Sequence, residues 1–251
     1  AGDVDIKALE QAARTEGVLF VGANDGMLHG FRDTTGAEVF AFVPKAVMPN
    51  MHQLAQRTYA HRYFVDGPNV EADACLGSFP CTWTNLLIGT AGAGAKTVFA
   101  LDVTTPMAMT TTSAKWEIDP STSGFATLGH VLSDVQTGYT KSGQWVAVFG
   151  NGYESAGGQA VLYIVNLNTG ALIKSIVVDN TGSNGLGGVR LVRDANKVIV
   201  GAYAGDLKGI KKVAIASFVV QYVVKQTEEM VIDLEKPLTG DPEFLQAITE
   251  Q

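Results

Sequence analysis

Apolar runs of about five residues, each followed by glycine and turn-forming polar residues, recur along most of the chain. The clearest case is VLFVGANDGMLHGFRDTTGAEVFAFVP at 18–44. It predicts strands at Val18–Val21, Met27–Phe31 and Glu38–Val43, the last closed by Pro44. Asn-Asp-Gly between two apolar runs predicts a hairpin, because Asn and Gly tolerate the positive φ that such turns need. Asp33–Gly36 supplies the next turn in the same way. The unit is a three-stranded antiparallel meander.

Three later stretches repeat the plan: NLLIGTAGAGAKTVFALDVTTP from Asn85, WVAVFGNGYESAGGQAVLYIVNLNTGALIKSI from Trp145, and KVIVGAYAGDLKG from Lys197. Each begins with an apolar strand ending in glycine. These anchors, Gly22, Gly89, Gly150 and Gly201, stand 67, 61 and 51 residues apart. Periods of this order indicate repeated sheet units; blades of known propellers run about 40–50 residues, so each unit here carries an inserted loop. Radial stacking of such units makes the expected fold mainly β and propeller-like, a partial propeller of about four blades. A β-sandwich with similar hairpins is the alternative. Residues 1–17 predict a short amphipathic lead-in helix. In the tail, 210–251, Val213–Val224 predicts either one long strand or a buried helix. A helix is expected at Thr239–Gln251, with Asp241 as N-cap and Pro242 at N1.

Composition narrows the picture. Twenty-eight glycines and only 17% charged residues in 251 fit a turn-rich β protein. The net charge of −7, with no Lys/Arg cluster, argues against nucleic acid as a partner. No apolar run is long enough for a transmembrane helix, which takes about 18 residues or more. No signal peptide is visible, which fits a fragment or a mature form as well as a cytoplasmic chain.

Candidate chemistry is sparse. Cys75 and Cys81, the only cysteines, bracket a turn; a close isolated pair predicts a local disulfide, with two free thiols as the alternative. His52, His61 and His130 lack zinc-ligand spacing. GTAGAGAKT at 89–97 nearly matches a phosphate loop, but Ala95 separates Gly94 from Lys96 and a strand follows where the phosphate cradle needs a helix. The Gly/Asn-rich stretch Asp179–Arg190 reads as a loop. It has the alternating oxygens of a calcium loop at Asp179, Thr181 and Ser183, but Arg190 stands where the closing carboxylate belongs. No nucleophile motif is present, so no catalytic residue is assigned.

Five blocks taken together carry a resemblance: VGANDGMLHGF at 21–31, HRYFVDG at 61–67, LIGTAGAGAKTVFALDVT at 87–104, WVAVFGNGYES at 145–155 and YAGDLKG at 203–209. In this order they resemble the PilY-type (PilC) family of type IV pilus assembly factors and pilus-tip adhesins. The resemblance spans roughly Val18–Gly209 and implies the family's C-terminal β-propeller, with HRYFVDG carrying the strand after the first blade. It implies a non-enzymatic protein, exported across the inner membrane to the cell surface, which promotes pilus assembly and adhesion. The implied partners are pilins or minor pilins and a host or surface ligand. In many members a DxDxDGxxD loop before the YAGDL strand binds calcium. Here only Asp194 and Asn196 remain, followed by Lys197, so calcium is expected to bind weakly or not at all. The other function class is a quinoprotein dehydrogenase, whose propeller also uses Asp-x-x-Thr-Gly turns. A quinone would need a basic clamp, a stacking Trp and a calcium ion in a central cavity. Trp83, Trp116 and Trp145 fall at strand positions and read as core.

Overall fold

Strand formation follows the apolar runs, with one more strand in each of the later three repeats than the meander predicts. The computed structural model describes residues 17–216 except Phe79, together with short strands at 219–222, 224–225 and 228–229. The helices expected before Gly17 and at 239–251 lie outside the described residues.

The first sheet holds β1 (Val18–Gly22), β2 (Leu28–Arg32) and β3 (Glu38–Phe42) in antiparallel order. A one-turn helix α1 (Met48–Met51) and a 3₁₀ turn (His52–Ala55) follow. The second sheet runs β4 (Asn69–Leu76), β5 (Thr82–Thr90), β6 (Val98–Asp102) and β7 (Ala114–Ile118). The third comprises β8 (Gln136–Thr140), β9 (Trp145–Gly150), β10 (Ala160–Asn166) and β11 (Leu172–Asp179). The fourth comprises β12 (Leu186–Arg193), β13 (Val198–Asp206), β14 (Gly209–Ala216) and β15 (Val219–Tyr222). A short parallel contact, Val198 with Tyr139 and Ile199 with Thr140, joins the third and fourth sheets.

The glycine anchors Gly22, Gly89, Gly150 and Gly201 fall on β1, β5, β9 and β13. The true repeat is therefore four strands long, and β4, β8 and β12 are the strands that the meander leaves out. Three expectations change accordingly. HRYFVDG (61–67) contains no strand; the next one starts at Asn69. Asp179–Arg190 is not one loop, since β11 reaches Asp179 and β12 begins at Leu186. Val213–Val224 is neither a single strand nor a helix, because β14 and β15 pair antiparallel within it.

Side-chain alternation shows how the sheets stack. On β5, Leu86 and Ile88 enter the core shared with the third sheet, while Leu87 enters the core shared with the first. On β10, Val161, Tyr163 and Val165 face the second sheet, and Leu162 and Ile164 face the fourth. Successive residues of a strand point to opposite faces, so these strands are buried on both sides. That explains their uninterrupted apolar sequences. A sandwich strand buries one face; a propeller blade between two others buries both. Three separate cores thus lie in the three interfaces between four blades. Among the described residues no strand pairs the first sheet with the fourth, so the blades form an open, partial propeller.

The glycine-rich turn at 91–97 owes its composition to close approach. A Cβ on Gly94 would lie 1.9 Å from the carbonyl oxygen of Phe64, so only glycine lets this turn pack on the 64–67 segment. β6 follows it, not a helix, which removes the phosphate-loop geometry.

Candidate functional site: an aromatic cleft between blades

The β4–β5 hairpin ends in a small loop. Cys75 is the penultimate residue of β4, Cys81 immediately precedes β5, and the two form a disulfide with their Cα atoms 5.4 Å apart. Trp83, the cross-strand partner of Cys75, stands two residues beyond Cys81 on the rim of that hairpin. On the third blade, Tyr139 and Trp145 face each other across the β8–β9 ladder. Their rings lie 5.4 Å apart, and Trp145 meets Trp83 edge-on at 6.2 Å. The parallel contact between β13 and β8 brings in the β12–β13 turn from the fourth blade.

Together these elements enclose a cleft of about 970 Å³ whose lining includes the disulfide, the three aromatic rings, Arg193, Asn196 and Lys197. Cys75, Cys81 and Asn196, singled out in the sequence for separate reasons, thus line one cleft. Asp194 does not line it. Its Oδ1 accepts the backbone N–H groups of Asn196 (2.8 Å) and Val198 (3.0 Å) and so closes the turn on itself. Lys197 sits in the left-handed region at φ 65°. Calcium takes six to eight oxygen ligands. This turn offers one carboxylate, already engaged, beside an ammonium group, so its donor set does not fit calcium. Among the described residues no group of three or more His, Cys, Asp or Glu side chains could hold a metal ion.

The tryptophans divide by environment. The Trp116 indole donates to the carbonyl of Leu167 at 2.9 Å, and its ring packs on the core as expected. Trp83 does not belong to the core: it is 42% exposed. The polar neighbour Thr82, itself exposed, is the sequence signal that this end of β5 lies at the surface, and burial begins at Thr84.

Electrostatics at the cleft is cationic. Arg193 donates from Nη2 to the carbonyl of Thr137 at 2.7 Å, which fixes its guanidinium on the rim. No carboxylate belongs to the described lining, in a chain that is acidic overall. Other titratable groups serve the scaffold. His29 bridges Glu38 (2.6 Å) and Asp25 (2.9 Å) on the first blade. The hydrogen bond to Glu38 raises its pKa above 6.5, with Asp25 adding to the effect and burial opposing it. Tyr163 is buried, which pushes its phenol upward, and its hydroxyl is paired with Thr127 at 2.6 Å.

The PilY1 beta-propeller domain model matches residues 1–217, which takes the match past Gly209, where the motif resemblance stops. The chain belongs to the PilY1 β-propeller family. It is 39% identical over 203 residues to the type IV pilus biogenesis factor PilY1 homolog of Xylella fastidiosa strain Temecula1, covering 76% of this chain and 13% of that protein. It is 43% identical over 197 residues to the type IV pilus biogenesis factor PilY1 of Pseudomonas aeruginosa strain UCBPP-PA14, covering 76% of this chain and 16% of that one. The crystal structure of the Pseudomonas aeruginosa PilY1 C-terminal domain superposes with a TM-score of 0.66 at 38% identity, over 81% of this chain and 40% of that one. The chain therefore spans less than a fifth of the length of these curated PilY1 relatives. Their names are those of pilus factors, so the quinoprotein reading is not favoured.

Proposed function

We propose that this propeller works as part of a non-enzymatic type IV pilus biogenesis factor that promotes pilus assembly and surface attachment. The observation that carries the reading is its kinship, through all four blades, with pilus biogenesis factors. Assembly calls for contact with pilins or minor pilins, and attachment for a host or surface ligand. An inter-blade cleft with exposed aromatic rings suits recognition better than catalysis, because aromatic side chains supply contact area at low entropic cost. A disulfide between Cys75 and Cys81 suits the oxidising side of the inner membrane. Among the described residues no helix is long and apolar enough to cross a membrane. The proposed site of action is the cell surface, on or near the pilus, after export.

Immunogold labelling of pili sheared from the native strain, with an antibody raised against the chain, tests this placement. Label on the pilus, together with loss of surface attachment when the gene is removed, is the expected result. Label confined to the cytoplasm would refute it.

A further inference from the structure

We propose that the cleft between the second, third and fourth blades binds a carboxylate-bearing saccharide of the colonised surface. The inference rests on the attachment part of the function proposed above and assigns it a ligand class and a place.

Three observations lead there. The first is the aromatic surface: Trp83 and Tyr139 are 42% and 40% exposed, and tilted or edge-on contacts hold the rings apart. The indole N–H groups of Trp83 and Trp145 make no hydrogen bond among the described residues, unlike that of Trp116. Exposed ring faces beside free N–H donors match a pyranose, whose C–H face is apolar and whose rim is hydroxylated. The second is charge. Arg193 is held by Thr137, so its remaining N–H donors are pre-organised for an anion. Lys197 makes no ion pair among the described residues. It also occupies a left-handed conformation that Gly or Asn would adopt more readily, and such a conformation in a bulky residue points to a use for its side chain. The third is construction. β5 and β9, the strands that carry Trp83 and Trp145, pair on both sides, so they offer a ligand their side chains and not a free backbone edge. The volume, about 970 Å³, is that of a ligand cleft, for which about 300–1,000 Å³ is usual.

The test titrates the whole chain with trigalacturonate, reading tryptophan fluorescence. The neutral trimer and an acidic proline-rich peptide serve as comparators. The acidic trimer is expected to bind saturably, and the neutral trimer about tenfold more weakly, because charge-assisted hydrogen bonds are about twice as strong as neutral ones. Trp83→Ala is expected to weaken binding about tenfold by removing a stacking surface. Lys197→Asn, which suits the left-handed backbone and keeps the fold, is expected to weaken it several-fold. Thermal melting confirms that both variants fold. Saturable binding that weakens in both folded variants supports the proposal. No binding by the folded chain, binding indifferent to both substitutions, or preference for the peptide overturns it. Attachment of the deletion strain is scored separately: lost attachment with no trimer binding removes the saccharide and leaves the attachment role standing.

Discussion

Replacing Asn151 by alanine should loosen the joint between the third and fourth blades. Asn151 is fully buried just after β9, and its side chain makes four hydrogen bonds. Nδ2 donates to the carbonyls of Thr127 (2.9 Å) and Gln159 (2.8 Å). Oδ1 accepts from the N–H of Val161 (3.0 Å) on β10 and of Leu186 (2.9 Å) at the start of β12. One amide thus uses all its principal capacity to satisfy backbone groups from three segments and two blades. Each such bond contributes about 1 kcal/mol net, so Asn151→Ala should cost about 4 kcal/mol. For a chain of this size that lowers the melting temperature by about 8–16 °C. Asn151→Asp should be no milder at neutral pH, since it faces two carbonyl oxygens with an acceptor in place of a donor. Urea denaturation followed by tryptophan fluorescence reads both variants, with Trp145 reporting from the adjacent strand. Asn196→Ala is the control: the Asn196 side chain has no hydrogen bond among the described residues, and its loss should stay within about 0.5 kcal/mol. An Asn151→Ala chain less than about 1 kcal/mol below the native one would refute the reasoning.

Three other outcomes follow from the same structure. Replacing Cys75 and Cys81 together by serine should cost about 2 kcal/mol, the loop-entropy expectation for so short a ring, measured by urea denaturation against the oxidised chain. A group whose folded pKa is raised stabilises fully below its unfolded value and loses that contribution as pH climbs through the folded one, so the contribution of His29 should fade above pH 6.5. Proton NMR titration should place its pKa above 6.5, and Glu38→Gln should bring it down; a native value at or below 6.5 would count against the bridge. Calcium at about 1 mM would stabilise a site of about 10 μM affinity by about 2.7 kcal/mol. The poor donor set around Asp194 predicts a melting shift below about 1 °C, well under the several degrees such a site would give.

The blade cores were legible in the sequence because β5, β9 and β10 are apolar on both faces, and the glycine anchors on β1, β5, β9 and β13 mark equivalent strands. The strands β4, β8 and β12 were not. NVEADACL buries Ala72, Ala74 and Leu76, but two small alanines among carboxylates give a weak alternation. QTGYT is short and polar, and the glycines of β12 look like a loop. The cleft was legible only in pieces. The cysteine pair and the Asp194–Lys197 turn were visible singly, yet their meeting depends on the β13–β8 contact, which no local pattern encodes. Tyr139 and Trp145 become partners only through the register of the β8–β9 ladder. Asn151 looks like any other turn residue until the fold closes over it.

The central claim is that this propeller serves type IV pilus biogenesis. The most direct measurement is the amount of pilin sheared from cells whose native gene carries an in-frame deletion of 18–209, with total cellular pilin measured alongside. The account predicts that surface pili fall sharply while cellular pilin is maintained, and that restoring the native gene returns them. Unchanged surface pili in the deletion strain would contradict it.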